Sequence, residues 1–327
     1  MNPRVTFPEK VKLQDIDTED DIFSISFPKN DEKLKASIKE LGLLKPLILR
    51  SKGGGKLFHI ISGYKRSIAL KELGINFVPA YIFNADELGD EKALRFSLLE
   101  NLHTREINCI EVSNFLHNLK ENLKVKEEKI TEDYLPLLGL EKSTLILKKY
   151  LSLQNLVNGF KELAVIKKIP VKILSRLSFL PKKDQESVLK IATKLELGFN
   201  LISGLLTLLE EVSERDKVSI SDLTADKSIA DILERDGSSR DKKTKLLIAF
   251  LNEKRFPNLE KFERKIKSHI NNLKLPNNVA IDIPENLEGD AVAVRFKFGD
   301  KKEYEEILNS LLKISDSGDY KKLLEMI

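Results

Sequence analysis

A change of hydrophobic period at Gly63 constrains the fold more than any other feature of the chain. Residues 57–61 are a short apolar run with aromatic and β-branched side chains, which reads as a strand. Gly63 interrupts the run, and residues 64–73 continue at helical spacing. Residues 74–83 return to a strand pattern, and residues 91–101 predict a helix with Ala93, Phe96 and Leu99 turned inward. Upstream, residues 11–13 predict an entry strand. Leu34, Ile38 and Leu41 repeat at helical spacing, with Gly42 placed as the stop. Residues 46–50 then predict a strand, Gly53, Gly54 and Gly55 a turn, and residues 57–61 the antiparallel partner.

The chemistry concentrates at the two ends of this alternation. Gly63 brings the backbone close to a ligand with no Cβ in the way. The first turn of the following helix offers unpaired N–H groups and a positive dipole end. Lys65 and Arg66 stand in that turn, where positive charge is slightly unfavourable unless an anion compensates it. At the far end, Glu100 and Asn101 close a helix, where an acid is again on the wrong side of the dipole. The pair reads as a phosphate pocket facing a carboxylate and an amide. Two solvated basic residues and a polar helix end would produce the same strings.

Length and charge bound the rest. A chain of 327 residues exceeds one ordinary core and asks for two or three domains. Its net charge of +4 decides little, but the middle third carries most of the excess, which favours an anionic partner there. The single cysteine, Cys109, excludes an intramolecular disulfide and a multi-cysteine zinc site. No signal-like start and no long apolar run are present, so the expectation is a cytoplasmic protein without a membrane partner.

After Asn108 the pattern is helical, with Val112, Phe115, Leu116 and Leu119 on one stripe. Residues 130–153 have helix-turn-helix proportions: Thr131 as first cap, Gly139 as turn, Ser143 opening the second helix. Lys142, Ser143 and Thr144 are the expected base-edge contacts, and Lys148 and Lys149 the expected phosphate contacts. Leu145, Ile146 and Leu147 run together as possible core, and no Arg, Asn or Gln stands there for bidentate base reading. A basic helical stretch follows over residues 161–195, then an apolar one over 201–209. Residues 216–240 are polar, with Gly237 marking a boundary. Beyond them come a helix over 242–252, a helix striped by Leu259, Phe262, Ile266 and Ile270, strands at 279–283 and 291–298 around a turn at Glu288, Gly289 and Asp290, and a helix over 302–314. That set is too small for a thick core of its own, so pairing with a second copy is expected.

Three strings in order, residues 37–50, 61–69 and 100–111, resemble the successive motifs of the ParB/sulfiredoxin fold as found in ParB partition proteins. The resemblance implies an α+β, mostly helical chain: a ParB/sulfiredoxin-like α/β nucleotide-binding domain over 1–108, an all-helical helix-turn-helix domain over 109–235, and a small α-β-β-α dimerisation domain over 236–327. It implies binding of CTP with Mg2+, with Gly63, Lys65, Arg66, Ser67 and Asn101 on the nucleotide, and Glu100 and Asn101 serving the metal and a weak CTPase activity. It also implies double-stranded DNA, a homodimer, a ParA-type ATPase partner and association with the nucleoid. Two departures are visible: Tyr64 replaces the acid of the family's Gly-Glu-Arg-Arg box, and Lys65 its first arginine, losing a bidentate fork. Sulfiredoxin chemistry needs a cysteine beside the phosphate-binding arginine, and Cys109 stands elsewhere, so a reductase is not expected. A transcription regulator or nucleoid adaptor of the same fold, and a stand-alone nucleotide hydrolase or kinase, are the competing expectations.

Overall fold

The computed structural model describes residues 7–52, 57–282, 293–315 and 317–325, with side chains of 257–264 and 323–325 outside that description. The chain is mostly helical α+β and divides into two compact units, residues 1–206 with 219–226, and residues 207–218 with 227–327.

The first unit opens on a five-stranded sheet. Strands β1 (Glu9–Lys12), β2 (Ile16–Asp17), β3 (Leu47–Ser51), β4 (Phe58–Ser62) and β5 (Phe77–Phe83) stand in the order β1-β5-β3-β4-β2. β3 pairs antiparallel with β4 and parallel with β5. The alternation of strand side chains divides the apolar ones between two faces. Leu47, Leu49, Ile60, Val78 and Ala80 point to one, packed with α1 (Glu32–Leu41) and α2 (Tyr64–Glu72). Ile61 points to the other, against Phe23, Ile25 and the buried Ala93, Leu94 and Leu98 of α3 (Asp90–Thr104). A sheet covered on both faces explains why β3 and β4 read as nearly unbroken apolar runs.

Local chemistry sets the helix ends. Asp31 caps α1 by accepting from the Leu34 N–H at 3.1 Å, and Gly42 ends it at φ 75°. Asn108 and Glu111 form a reciprocal capping box at the start of α4 (Cys109–His117). α4 extends through a π-helical turn to Asn122. α5 (Glu127–Lys129) likewise continues through a π-helical turn and a 3-10 turn to Gly139, which adopts φ 71°. α6 (Thr144–Ser152) starts at Ser143, whose hydroxyl accepts from the Ile146 N–H. α7 (Asn158–Lys167), α8 (Val171–Ser178), α9 (Lys182–Lys194), α10 (Phe199–Asp216) and α11 (Ile220–Thr224) follow. Ile202, Leu205, Leu206 and Leu209 of α10 are buried, as the apolar run over 201–209 predicts.

The second unit holds the end of α10, α12 (Lys227–Glu234), α13 (Arg240–Arg255), α14 (Pro257–Asn272), strands β6 (Val279–Asp282) and β7 (Ala293–Phe296), α15 (Lys301–Ser315) and α16 (Gly318–Glu325). β6 and β7 pair antiparallel. Val212, Ile229, Leu247 and Leu251 are buried in it, and Ile266 and Leu273 form a further small cluster.

Several expectations change. Leu41 is 60% exposed at the end of α1, so Ile38 alone anchors that stripe fully. In α3 the buried leucines are Leu94 and Leu98, one residue off the predicted Leu99. Thr131 caps nothing: it is buried within the π-helical turn, its hydroxyl unpartnered. The polar stretch 216–240 contains α11 and α12, because Ile220, Leu223, Ile229 and Leu233 recur often enough to bury a face. The boundary placed at 108/109 is bridged by one continuous core from Ile61 through Leu98 and Phe115 to Leu147. The turns expected at 53–55 and 288–290, and the Leu259 and Phe262 side chains, are outside the described residues.

Candidate functional site

Gly63, between β4 and α2, adopts φ 101°, a conformation that favours glycine. A Cβ there would stand 2.6 Å from Leu47 Cδ2 and 3.1 Å from the Arg66 guanidinium carbon. The glycine is therefore what lets Arg66 fold back over the strand end. No side chain caps α2, so its first N–H groups are free to face a ligand.

These groups line a cleft of about 280 Å3 that Glu100, Asn101 and Arg105 close from the other side. The two ends of the 58–105 stretch thus meet in space. Arg66 Nη1 donates to the backbone carbonyls of Lys45 at 2.6 Å and Pro46 at 2.7 Å, and Nη2 reaches Ser62 Oγ at 3.5 Å. Every one of these acceptors is neutral. Burial pushes the Arg66 pKa down, with the Glu100 charge opposing the shift. Lys65 lies 4.0 Å from Asp31, too far for a hydrogen bond.

Glu100 accepts from Lys45 Nζ at 2.5 Å and from Ser62 Oγ at 2.8 Å. Burial works to raise its pKa, but the hydrogen bonds from Lys45 and Ser62 and the Lys45 and Arg66 charges outweigh it. The carboxyl stays below its ordinary value and is ionised at neutral pH.

Asn101 has a different role from its neighbour. Its Nδ2 donates to Ser97 O at 2.8 Å, and its Oδ1 accepts from Arg105 Nε at 3.1 Å and Nη2 at 2.9 Å. Arg105 also donates to both oxygens of the fully buried Glu111, at 2.6 and 2.8 Å. Glu111 in turn accepts from the Phe27 N–H at 3.1 Å. The Asn101 amide oxygen is thus engaged by Arg105 in the link from α3 to α4, while the residue itself lines the cleft. Ser67 is not brought into the cleft: it is buried and its hydroxyl donates to Tyr64 O at 2.7 Å. Tyr64, in the acid's place, is also buried and donates to Thr18 O at 2.9 Å.

Among the described residues no cluster of three or more His, Cys, Asp or Glu side chains could hold a metal on its own. Glu100 and Asp31 are the carboxylates among the described lining residues of the cleft that could hold a divalent ion. Cys109 opens α4 as a half-buried thiol whose pKa burial raises.

Sequence reasoning missed Lys45, Ser62, Arg105 and Glu111. Arg105 had a legible signal, four residues after Asn101 on the same helix face. Lys45 had none, since its partner is 55 residues away.

The DNA candidates gather at the start of α6. Lys142, Thr144 and Lys148 are exposed, Lys149 is partly exposed, Ser143 serves as cap, and Lys142 pairs with Glu132 at 2.7 Å. Leu147 is core, whereas Leu145 is exposed.

The sheet with its cleft at a strand–glycine–helix junction shares one core with the helices that lead to α6. Residues 9–102 match the ParB N-terminal domain, so that segment is similar to the N-terminal domain of ParB proteins. The chain is 31% identical over 101 residues to a probable chromosome-partitioning protein ParB of Mycobacterium leprae, covering 30% of this chain and 29% of that protein. It is 25% identical over 170 residues to one of Vibrio cholerae, covering 52% and 55%. The chain thus spans between about a third and about half the length of these relatives. Among solved structures, a Pnob8-like ParB-N domain matches at 19% identity and TM-score 0.37, covering 78% of this chain and 97% of that one. C-terminally truncated ParB of Caulobacter crescentus, complexed with CTP-gamma-S, matches at 20% identity and TM-score 0.26, covering 57% and 98%. Among the described residues no helix is long and apolar enough to cross a membrane.

Proposed function

We propose that this chain is a ParB-type partition protein that binds duplex DNA through α6 and the basic helices after it, under control of CTP held in the Gly63–Arg66 cleft. The observation that carries the reading is the cleft itself, where a half-buried guanidinium with only neutral acceptors faces an ionised carboxylate. A triphosphate supplies the anion that Arg66 lacks. Backbone N–H groups of the first turn of α2 and the Lys65 ammonium would share it. A bound Mg2+ would screen the phosphate charge beside Glu100 and polarise the phosphoryl oxygens. Glu100, held ionised by Lys45 and Ser62, would orient water for slow turnover. Asn101 would act by fixing α3 against α4 through Arg105.

The coupling to DNA would run along that same connection, because Arg105 and Glu111 tie the cleft to the helix that packs on α6. Any such coupling acts equally in both directions. A two-fold assembly through β7, α15 and the loop between them, where Val294, Phe298, Leu308 and Leu312 are exposed, would present two α6 helices to a two-fold DNA site. A ParA-type ATPase is the further partner proposed, and the nucleoid the proposed location.

Calorimetric titration with CTP and Mg2+ tests the nucleotide reading. The wild type should bind, and Arg66→Ala should lose at least about ten-fold, since roughly 1.5–3 kcal/mol attends a hydrogen bond to a charged group. Equal affinities would remove Arg66 from the site. For DNA, replacing Lys148 and Lys149 together by Ala should lower the slope of log affinity against log salt by about 2. An unchanged slope would place the phosphate contacts elsewhere.

A further inference from the structure

Thr144 and Leu145 are the first two residues of α6, directly after the Ser143 cap. The helix already has its inward anchor: Leu147 is fully buried in the core that joins the sheet to the helices. Leu145 is left 60% exposed. A single exposed leucine is ordinary, but its neighbours make this one informative. Lys142, Thr144 and Lys148 are exposed around it, and Lys148 follows Thr144 by one helical turn. The solvent face of this turn therefore carries cations at its margins, with a hydroxyl and a methyl of Thr144 and the isobutyl group of Leu145 between them.

No guanidinium, side-chain amide or carboxylate stands in residues 142–149. Reading of guanine by Arg, adenine by Asn or Gln, and cytosine by Glu or Asp is thereby absent from this turn. Thymine differs from the other bases in presenting a methyl group in the major groove, and apolar side chains and the threonine methyl are the groups that contact it. Resting on the reading of α6 as the groove-docked helix, we propose that Leu145, with the Thr144 methyl beside it, reads thymine 5-methyl groups. Lys148 and Lys149 hold the helix on the phosphates, and sequence preference under the first turn comes from apolar contact.

The test begins with selection of duplexes from a random pool by the full chain. The enriched duplex is then resynthesised with deoxyuridine for thymidine, one position at a time, which removes the methyl and keeps the hydrogen-bonding edge. At one or more positions the wild type should bind the uracil duplex about four-fold more weakly, the factor that one buried methyl supplies. Thr144→Ser with Leu145→Ala, checked for an unchanged melting curve, should bind both duplexes equally there and keep the wild-type salt slope. Equal binding of thymine and uracil duplexes by the wild type, a pool from which nothing is enriched, or full discrimination retained by the double variant overturns the thymine reading while salt-sensitive binding leaves the DNA reading standing. Absence of salt-sensitive duplex binding by the wild type overturns both.

Discussion

Arg66 carries a full charge that the fold surrounds with carbonyls and a hydroxyl, and Glu100 carries the opposite charge a short distance across the cleft. Glu100→Gln removes that charge and leaves the shape of the cleft. It should keep CTP binding and lose any turnover, measured by phosphate release; a variant that hydrolyses at the wild-type rate would take Glu100 out of the chemistry. Asp17 is a second acid with a structural task. Hydrogen bonds from Lys52 and from the Asp20 and Glu19 N–H groups lower its pKa from 3.8 to about 2. Its folded value is the lower one, so its contribution to stability is present above about pH 4 and is lost as the pH falls towards 2. Wild type should melt higher than Asp17→Asn at pH 5, and the gap should close near pH 2. A gap that is constant across that range would exclude Asp17 as the titrating group.

At the scale of elements, the junction between α3 and α4 holds the molecule's most demanding polar group. Glu111 is fully buried and is satisfied by Arg105 and by the N–H groups of Phe27 and Asn108. Asn108, Asn114 and Asn118 on the same face donate to the carbonyls of Phe27, Ile25, Ile22 and Ser24. One helix face thus serves the extended segment 22–27 as a neighbouring strand would, satisfying its backbone groups without a ladder. Glu111→Ala leaves Arg105 and the Phe27 N–H without their partner and should cost about 3 kcal/mol in denaturant unfolding. Replacing the exposed Lys142, whose surface pair with Glu132 is worth little, should cost under about 1 kcal/mol. Equal losses from the two would mean that the α3–α4 link is not a stability determinant.

The whole molecule is two units, and the second buries Val212, Ile229, Leu247, Leu251 and Ile266 while leaving apolar side chains of α15 exposed. Leu312 is 66% exposed on α15, with Leu308 one turn earlier and Phe298 nearby in sequence. If this surface joins two copies, Leu312→Asp should convert a dimer to a monomer in sedimentation while leaving helicity unchanged. A variant that still sediments as a dimer would move the interface away from α15.

The local rules were legible residue by residue. Gly63 was legible as the junction of a strand and a helix, because glycine and a helix start have specific backbone needs. The inward positions of α4 followed from helical spacing. Spacing found Ala93 and missed Leu94 and Leu98 in α3, because a helix apolar on several sides has no sharp stripe. The side-chain partners across the cleft were invisible: Lys45 and Ser62 reach Glu100 through contacts set by how the segment before β3, β4 and α3 pack. Sequence determined which groups are present and which backbone shapes they favour. Tertiary structure decided which charges neutralise each other and which face an open cleft, because that depends on distances between segments far apart in the chain.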